Sequence, residues 1–128
     1  MREIEHAYQV ALFRWAEIFM RNIPELEMLM AIPLGGKRPL KVAQKLKAEG
    51  VKAGYPDIVL NVARGGYHNL FIEMKAEKNK PTENQKQWHE KLRKHGSKVV
   101  VCYTSHEAQP ELTSGSIGKW VAFISNRF

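Results

Sequence analysis

A Gly65-Gly66 pair stands between two runs of alternating apolar and polar residues, and it constrains the fold of this chain more than any other feature. Ahead of it, Ile58, Leu60 and Val62 alternate with polar or smaller neighbours, and behind it Leu70, Ile72 and Met74 do the same. The pattern predicts two half-buried strands joined by a glycine turn. Side chains two apart on a strand share a face, so Glu73 and Lys75 project together, opposite Leu70, Ile72 and Met74. Pairing around the turn brings Asp57, at the start of one strand, near Glu73 and Lys75 at the end of the other.

The remaining segments read as helices and strands around this hairpin. Residues 3–22 predict an amphipathic helix, with Ile4, Tyr8, Ala11, Leu12, Trp15, Ile18 and Phe19 at helical spacing and Pro24 enforcing the stop. Leu26 to Pro33 reads as a short apolar strand, Gly35 to Pro39 as a basic loop, and residues 40–49 as a short basic helix ending at Gly50. From Pro81 a second clear helix opens, with a capping box of Thr82 and Gln85, a stripe of Trp88 and Leu92, and Gly96 as terminator. Residues 98–103 form a buried strand by composition, and Lys119–Ser125 could form a last one. The order of elements says α/β, a mixed central β-sheet flanked by α-helices, and the length of 128 residues suggests one domain.

Composition narrows the partners. Twenty Lys and Arg against 13 Asp and Glu give a net charge of +7, which favours an anionic partner, nucleic acid first. Much of the excess lies between residues 37 and 52, where Lys37, Arg38, Lys41, Lys45, Lys47 and Lys52 are opposed only by Glu49. No run reaches the apolar length of a membrane span, and no signal peptide is expected. Cys102 stands alone, which excludes an internal disulfide framework and a cysteine-built zinc site; its surroundings read as a buried, inert thiol. A reducing compartment fits. Gly36-Lys37 lacks the glycine that a phosphate-binding loop needs at position 31, where Ala31 stands, and the five histidines show no paired metal-ligand spacing.

Two carboxylates and an ammonium at one end of a hairpin suit metal-assisted phosphodiester hydrolysis. Hard cations want oxygen ligands, so Asp57 and Glu73 fit Mg²⁺ or Mn²⁺, and the Met74 backbone carbonyl could add a third donor. Lys75 beside them can orient or deprotonate the attacking water. Glu5 sits at the border of the apolar stripe on the first helix, where it either reaches a cleft or merely favours the helix dipole. Gln85 faces inward with Trp88 and Leu92; it caps its helix and could also touch a phosphate or a metal-bound water.

These residues resemble the virus-type replication and repair nuclease (VRR-NUC) family within the PD-(D/E)xK nucleases. The matching elements run in order: Glu5 with Gln9, the Gly-rich basic loop, Gly54-x-Pro56-Asp57, Phe71-Ile72-Glu73-Met74-Lys75, then Gln85-x-x-Trp88, Leu92, Gly96 and the Val99–Val101 strand. They span roughly residues 1–106, and the compact size looks like stand-alone phage or bacterial members. The resemblance implies a restriction-endonuclease-like core in which Glu5, Asp57 and Glu73 bind metal with the Met74 carbonyl, Lys75 is the catalytic lysine and Gln85 is the glutamine of the following helix. Family members often carry valine where this chain has Met74, a change to which a backbone ligand is indifferent. The implied activity is a Mg²⁺- or Mn²⁺-dependent endonuclease of repair type. It would cut branched DNA such as four-way junctions or flaps in a bacterial or phage-infected cytoplasm. Lys37, Arg38, Lys41, Lys45 and Lys52 would contact DNA, and a homodimer would supply paired cuts. The alternative is a non-catalytic DNA-binding module on the same scaffold.

Overall fold

The computed structural model describes residues 2–33, 39–76 and 79–104. Helix α1 (Arg2–Phe19) leads into a 3-10 turn (Pro24–Met28) and strand β1 (Leu29–Ala31). Helix α2 (Leu40–Ala48), strands β2 (Ile58–Leu60) and β3 (Leu70–Ala76), helix α3 (Glu83–Lys94) and strand β4 (Lys98–Thr104) follow. The strands form one sheet in the order β1-β2-β3-β4. β2 runs antiparallel to both β1 and β3, whereas β4 returns parallel to β3. A parallel return needs a crossover, and α3 supplies it. The sheet is therefore mixed and flanked by helices, as the element order predicted. Among the described residues no helix is long and apolar enough to cross a membrane.

The two faces of the sheet are buried by different helices. On one, Tyr8, Ala11, Leu12 and Trp15 of α1 pack against Leu29, Ile58, Leu60, Leu70, Ile72 and Met74. On the other, Val59, Phe71 and Val99 meet Ile32, Tyr55 and Leu92, the last from α3. Period-2 alternation thus divides β3 cleanly, with even-numbered residues toward α1 and odd-numbered ones toward α3. Full burial of each Leu or Ile contributes about 1.5–3 kcal/mol, so the larger α1 cluster anchors the domain.

Several expectations need correction. The segment from Leu26 to Pro33 is not one strand, because Pro24 presets the φ of a tight turn and Leu26 is buried within it. Alternation starts only at Met28, with Leu29 buried and Met30 exposed. On α1, Ile18 and Phe19 do not continue the buried stripe: they are exposed, though Phe19 stacks on Trp15 with ring centroids 4.7 Å apart. Lys37, Arg38 and the expected strand at Lys119–Ser125 lie outside the described residues.

Helix α2 starts where expected, ends one residue short of its expected bound, and has no buried residue. It stops as the sequence suggests, with Gly50 at φ 101° and two closing bonds, Gly50 N–H to the Lys47 carbonyl and Val51 N–H to that of Leu46. Lys41, Lys45 and Lys52 are all exposed. Helix α3 ends the same way at Gly96, where a Cβ would also strike the His68 ring.

Candidate active site

The hairpin turn has Gly65 at φ 61° and Gly66 at φ 86°, between the bridged pair Arg64 and Tyr67. Positive φ at both central positions is the demand of a type I′ turn, which glycine meets without strain. Beyond the turn the register slips. Residues 61–63 on one side stand against only 68 and 69 on the other, before Leu60 pairs with Leu70. That extra residue is a bulge, and it changes which residue Asp57 faces. Unbulged, the turn would set Asp57 opposite Met74; with the bulge, the pairing of Ile58 with Ile72 continues to Asp57 opposite Glu73.

Asp57 is held from both sides. Its backbone carbonyl accepts from Ile32 N–H at 2.7 Å, just past β1, and its Oδ2 accepts from Met74 N–H at 3.0 Å. The second bond has a simple cause. Register places Pro56 opposite Met74, and proline has no N–H and cannot continue the ladder. The chain turns away and the Asp57 side chain takes over the Met74 N–H. A residue's N–H and C=O point to the same side of a strand, so the Met74 carbonyl is directed to this side too, where Pro56 has no N–H to offer it.

Glu73 lies on the α3 face of β3 and is only 1% exposed. Its Oε1 is 3.3 Å from His89 Nε2 on α3, and it also shares a hydrogen bond with Asp57. Burial pushes the Glu73 carboxyl up to about 10; the Asp57 hydrogen bond and charge add to the effect, Lys75 opposes it, and Glu5 adds to it slightly. His89 is 3% exposed, and burial lowers its pKa, with the Arg93 charge adding to the shift. An uncharged acid beside an uncharged imidazole makes this contact a neutral hydrogen bond, not an ion pair, until something removes the proton.

Glu5 and Lys75 are half-buried and close enough for their charges to act on Glu73. Gln85 is half-buried, and its Oε1 accepts from Thr82 N–H at 2.9 Å while its own N–H donates to Thr82 Oγ1. The capping box is therefore formed, leaving the side-chain amide nitrogen for other use. Neighbouring Asn84 donates from Nδ2 to the Ala53 carbonyl at 2.9 Å, tying the loop that carries Asp57 to the start of α3. Gly54, at φ 86°, gives room for that tie, since a Cβ there would lie 2.8 Å from Asn84 Nδ2. Cys102, packed against the α1 core, has its thiol raised by burial to about 11 and is chemically quiet.

Sequence reading missed His89. Its signal was position: it follows Gln85 by one helical turn and is the one buried residue of α3 among those described, where the stripe of Trp88 and Leu92 is only partly covered. A histidine in that place resembles any helix residue until its partner, sixteen positions earlier in the chain, is known.

Among the described residues no three His, Cys, Asp or Glu side chains form a ready metal cage. The donor chemistry nevertheless fits a hard divalent cation: two carboxylates pressed together, a backbone carbonyl directed to the same side, and a third acid within electrostatic reach. The raised Glu73 carboxyl gives a test. A cation can use this carboxylate only by displacing its proton, so affinity should climb as pH rises toward about 10. The sign also fixes metal-free stability: a raised folded pKa contributes stability that is full below 4.5 and is lost as pH rises toward 10. Calorimetric Mn²⁺ titration at neutral pH in buffers of different ionisation enthalpy should show about one proton released per ion. Glu73→Gln should abolish that release, and a proton count independent of residue 73 would contradict the assignment.

The family model for the VRR-NUC domain matches residues 6–106 of this chain. A solved structure described as a VRR_NUC domain protein superposes with a TM-score of 0.71 at 29% identity, covering 98% of this chain and 88% of its own. No curated protein matches the sequence. A match over that span, with the fold it predicts, places the chain in the VRR-NUC family of nuclease domains.

Proposed function

We propose that this protein is a Mg²⁺- or Mn²⁺-dependent endodeoxyribonuclease that cuts branched DNA, a four-way junction or a flap, as a homodimer in a bacterial or phage-infected cytoplasm. The observation that carries the reading is the pairing of Asp57 with a buried Glu73 beside Lys75. Two acids forced together in low dielectric destabilise the metal-free protein, and a cation relieves that cost. Asp57, Glu73 and the Met74 carbonyl would hold the ion, with Glu5 completing the acidic edge. When bound, the ion would lower the pKa of a water and neutralise charge on the scissile phosphate. Lys75 would orient the attacking water and bind a non-bridging phosphate oxygen as a point charge. The Gln85 amide nitrogen can donate to a phosphate oxygen while its oxygen keeps the cap.

The basic helix α2 supports the choice of DNA as substrate. It spends no residue on the core, so its lysines are available to phosphates. Lys41→Glu with Lys45→Glu should weaken binding to every DNA. The slope of log affinity against log salt should fall by about 0.9 for each phosphate that is no longer neutralised. An unchanged slope would turn α2 away from the nucleic acid. The dimer rests on symmetry: opposed strands of a junction need two cuts, and a two-fold pair of sites supplies them.

The rival reading, a DNA-binding module without chemistry, draws on the near-complete burial of Glu73. One panel separates the two. Labelled four-way, flap, splayed and linear DNAs are incubated with Mg²⁺, Mn²⁺ or EDTA. Metal-dependent cutting of the branched forms supports the proposal; binding without cutting under every metal supports the rival. Sedimentation at micromolar concentration decides the dimer, and a strict monomer on junction DNA would leave flap or nicking activity.

A further inference from the structure

We propose that His89 is a positioning residue for the nuclease reaction, its imidazole holding the Glu73 carboxylate in the orientation that binds the cation; this rests on the reading of Glu73 as a metal ligand. The geometry is specific. Glu73 and His89 are 1% and 3% exposed, and their Oε1 and Nε2 lie 3.3 Å apart. The site faces the cluster of Val59, Phe71 and Val99, where an apolar side chain would pack at no desolvation cost. A polar side chain in such a place is informative, and its partner is the carboxylate that also meets Asp57.

A glutamate side chain has three rotatable bonds that the strand backbone does not fix. β3 sets where its Cα lies, but not where its oxygens point. With Oε1 tied to a ring on a rigid helix, the carboxylate keeps a constant direction toward Asp57. Bonds of this kind behind a ligating carboxylate are worth roughly 10–100-fold in metal affinity or activity. The ring also occupies the helix position one turn after Gln85, so α3 would fix the carboxylate and present the glutamine together.

The test compares three variants by Mn²⁺ affinity from calorimetry, with melting temperature and cleavage kinetics alongside. His89→Leu keeps volume and removes the nitrogen; His89→Gln places an amide nitrogen near Nε2; His89→Asn is too short to reach Oε1. Expected are a tenfold or greater loss of affinity in His89→Leu and His89→Asn, little change in His89→Gln, and a fall in kcat larger than any change in KM for DNA. Should His89→Leu fail to fold, the contrast between Gln and Asn carries the same result. Wild-type affinity and kcat in His89→Leu, or in both amide variants equally, would overturn the proposal and leave His89 a packing residue. Glu73→Gln is the control. If it loses Mn²⁺ while His89→Leu does not, only the role of His89 falls; if wild-type protein binds no Mn²⁺, the metal site falls and His89 with it.

Discussion

Asp57→Asn and Glu73→Gln should each slow cleavage by about 10³-fold or more, because the several kcal/mol that a metal contributes to phosphoryl chemistry goes with its ligand. Both changes are mild for the fold. Asparagine at position 57 keeps an oxygen to accept the Met74 N–H, the bond that closes the end of the sheet at 3.0 Å. Glutamine at position 73 fits the same volume and can still meet His89. It also removes a titrating group whose burial disfavours its charged form, so the metal-free protein should be as stable as wild type or more so at high pH. DNA binding should persist in both variants and tighten in Asp57→Asn, since a negative charge near the phosphate is gone. Gel shifts, melting curves and cleavage rates on one preparation check all three. An Asp57→Asn protein cutting at wild-type rate would remove the hairpin end as the active site.

Lys75→Ala should cost about 10²–10⁴-fold in kcat, the range for a group that transfers or steers a proton. Metal affinity should stay within a few-fold of wild type, for two opposing reasons. The Lys75 charge holds the Glu73 carboxyl lower than burial alone would, so its loss makes the acid harder to ionise. The same charge repels a cation, and its removal helps binding. Cleavage kinetics with calorimetric Mn²⁺ titration separate chemistry from binding. A variant that loses the ion along with activity would recast Lys75 as a structural residue that keeps Glu73 ionisable.

What could be read in the sequence was local. The Gly65-Gly66 turn, the alternation of β3, the Thr82 and Gln85 capping box and the glycine stops at Gly50 and Gly96 each depend on residues a few positions apart. The pairing of Asp57 with Glu73 was nearly as accessible, because two strands and a short turn leave few registers. Its detail was not: the extra residue among 61–63 shifts the partner of Asp57 by one, and nothing in those residues announces a bulge. The role of Pro56 becomes visible only with the register, when it falls opposite Met74 and the Asp57 side chain replaces the missing ladder bond. Ile18, Phe19 and the turn at Pro24–Met28 misled for a related reason. Periodicity reports what a stripe could bury, whereas burial depends on what packs against it. His89 shows this most plainly, since its meaning lies in the Glu73 it touches and not in its neighbours.

Anomalous diffraction at the manganese edge from crystals soaked in Mn²⁺ tests the metal site most directly. The expected result is a peak flanked by the carboxylates of Asp57 and Glu73 and the Met74 carbonyl, absent in the same crystals of Asp57→Asn. A fully soaked wild-type crystal with no peak there, or with its ion bound elsewhere on the chain, would contradict the assignment.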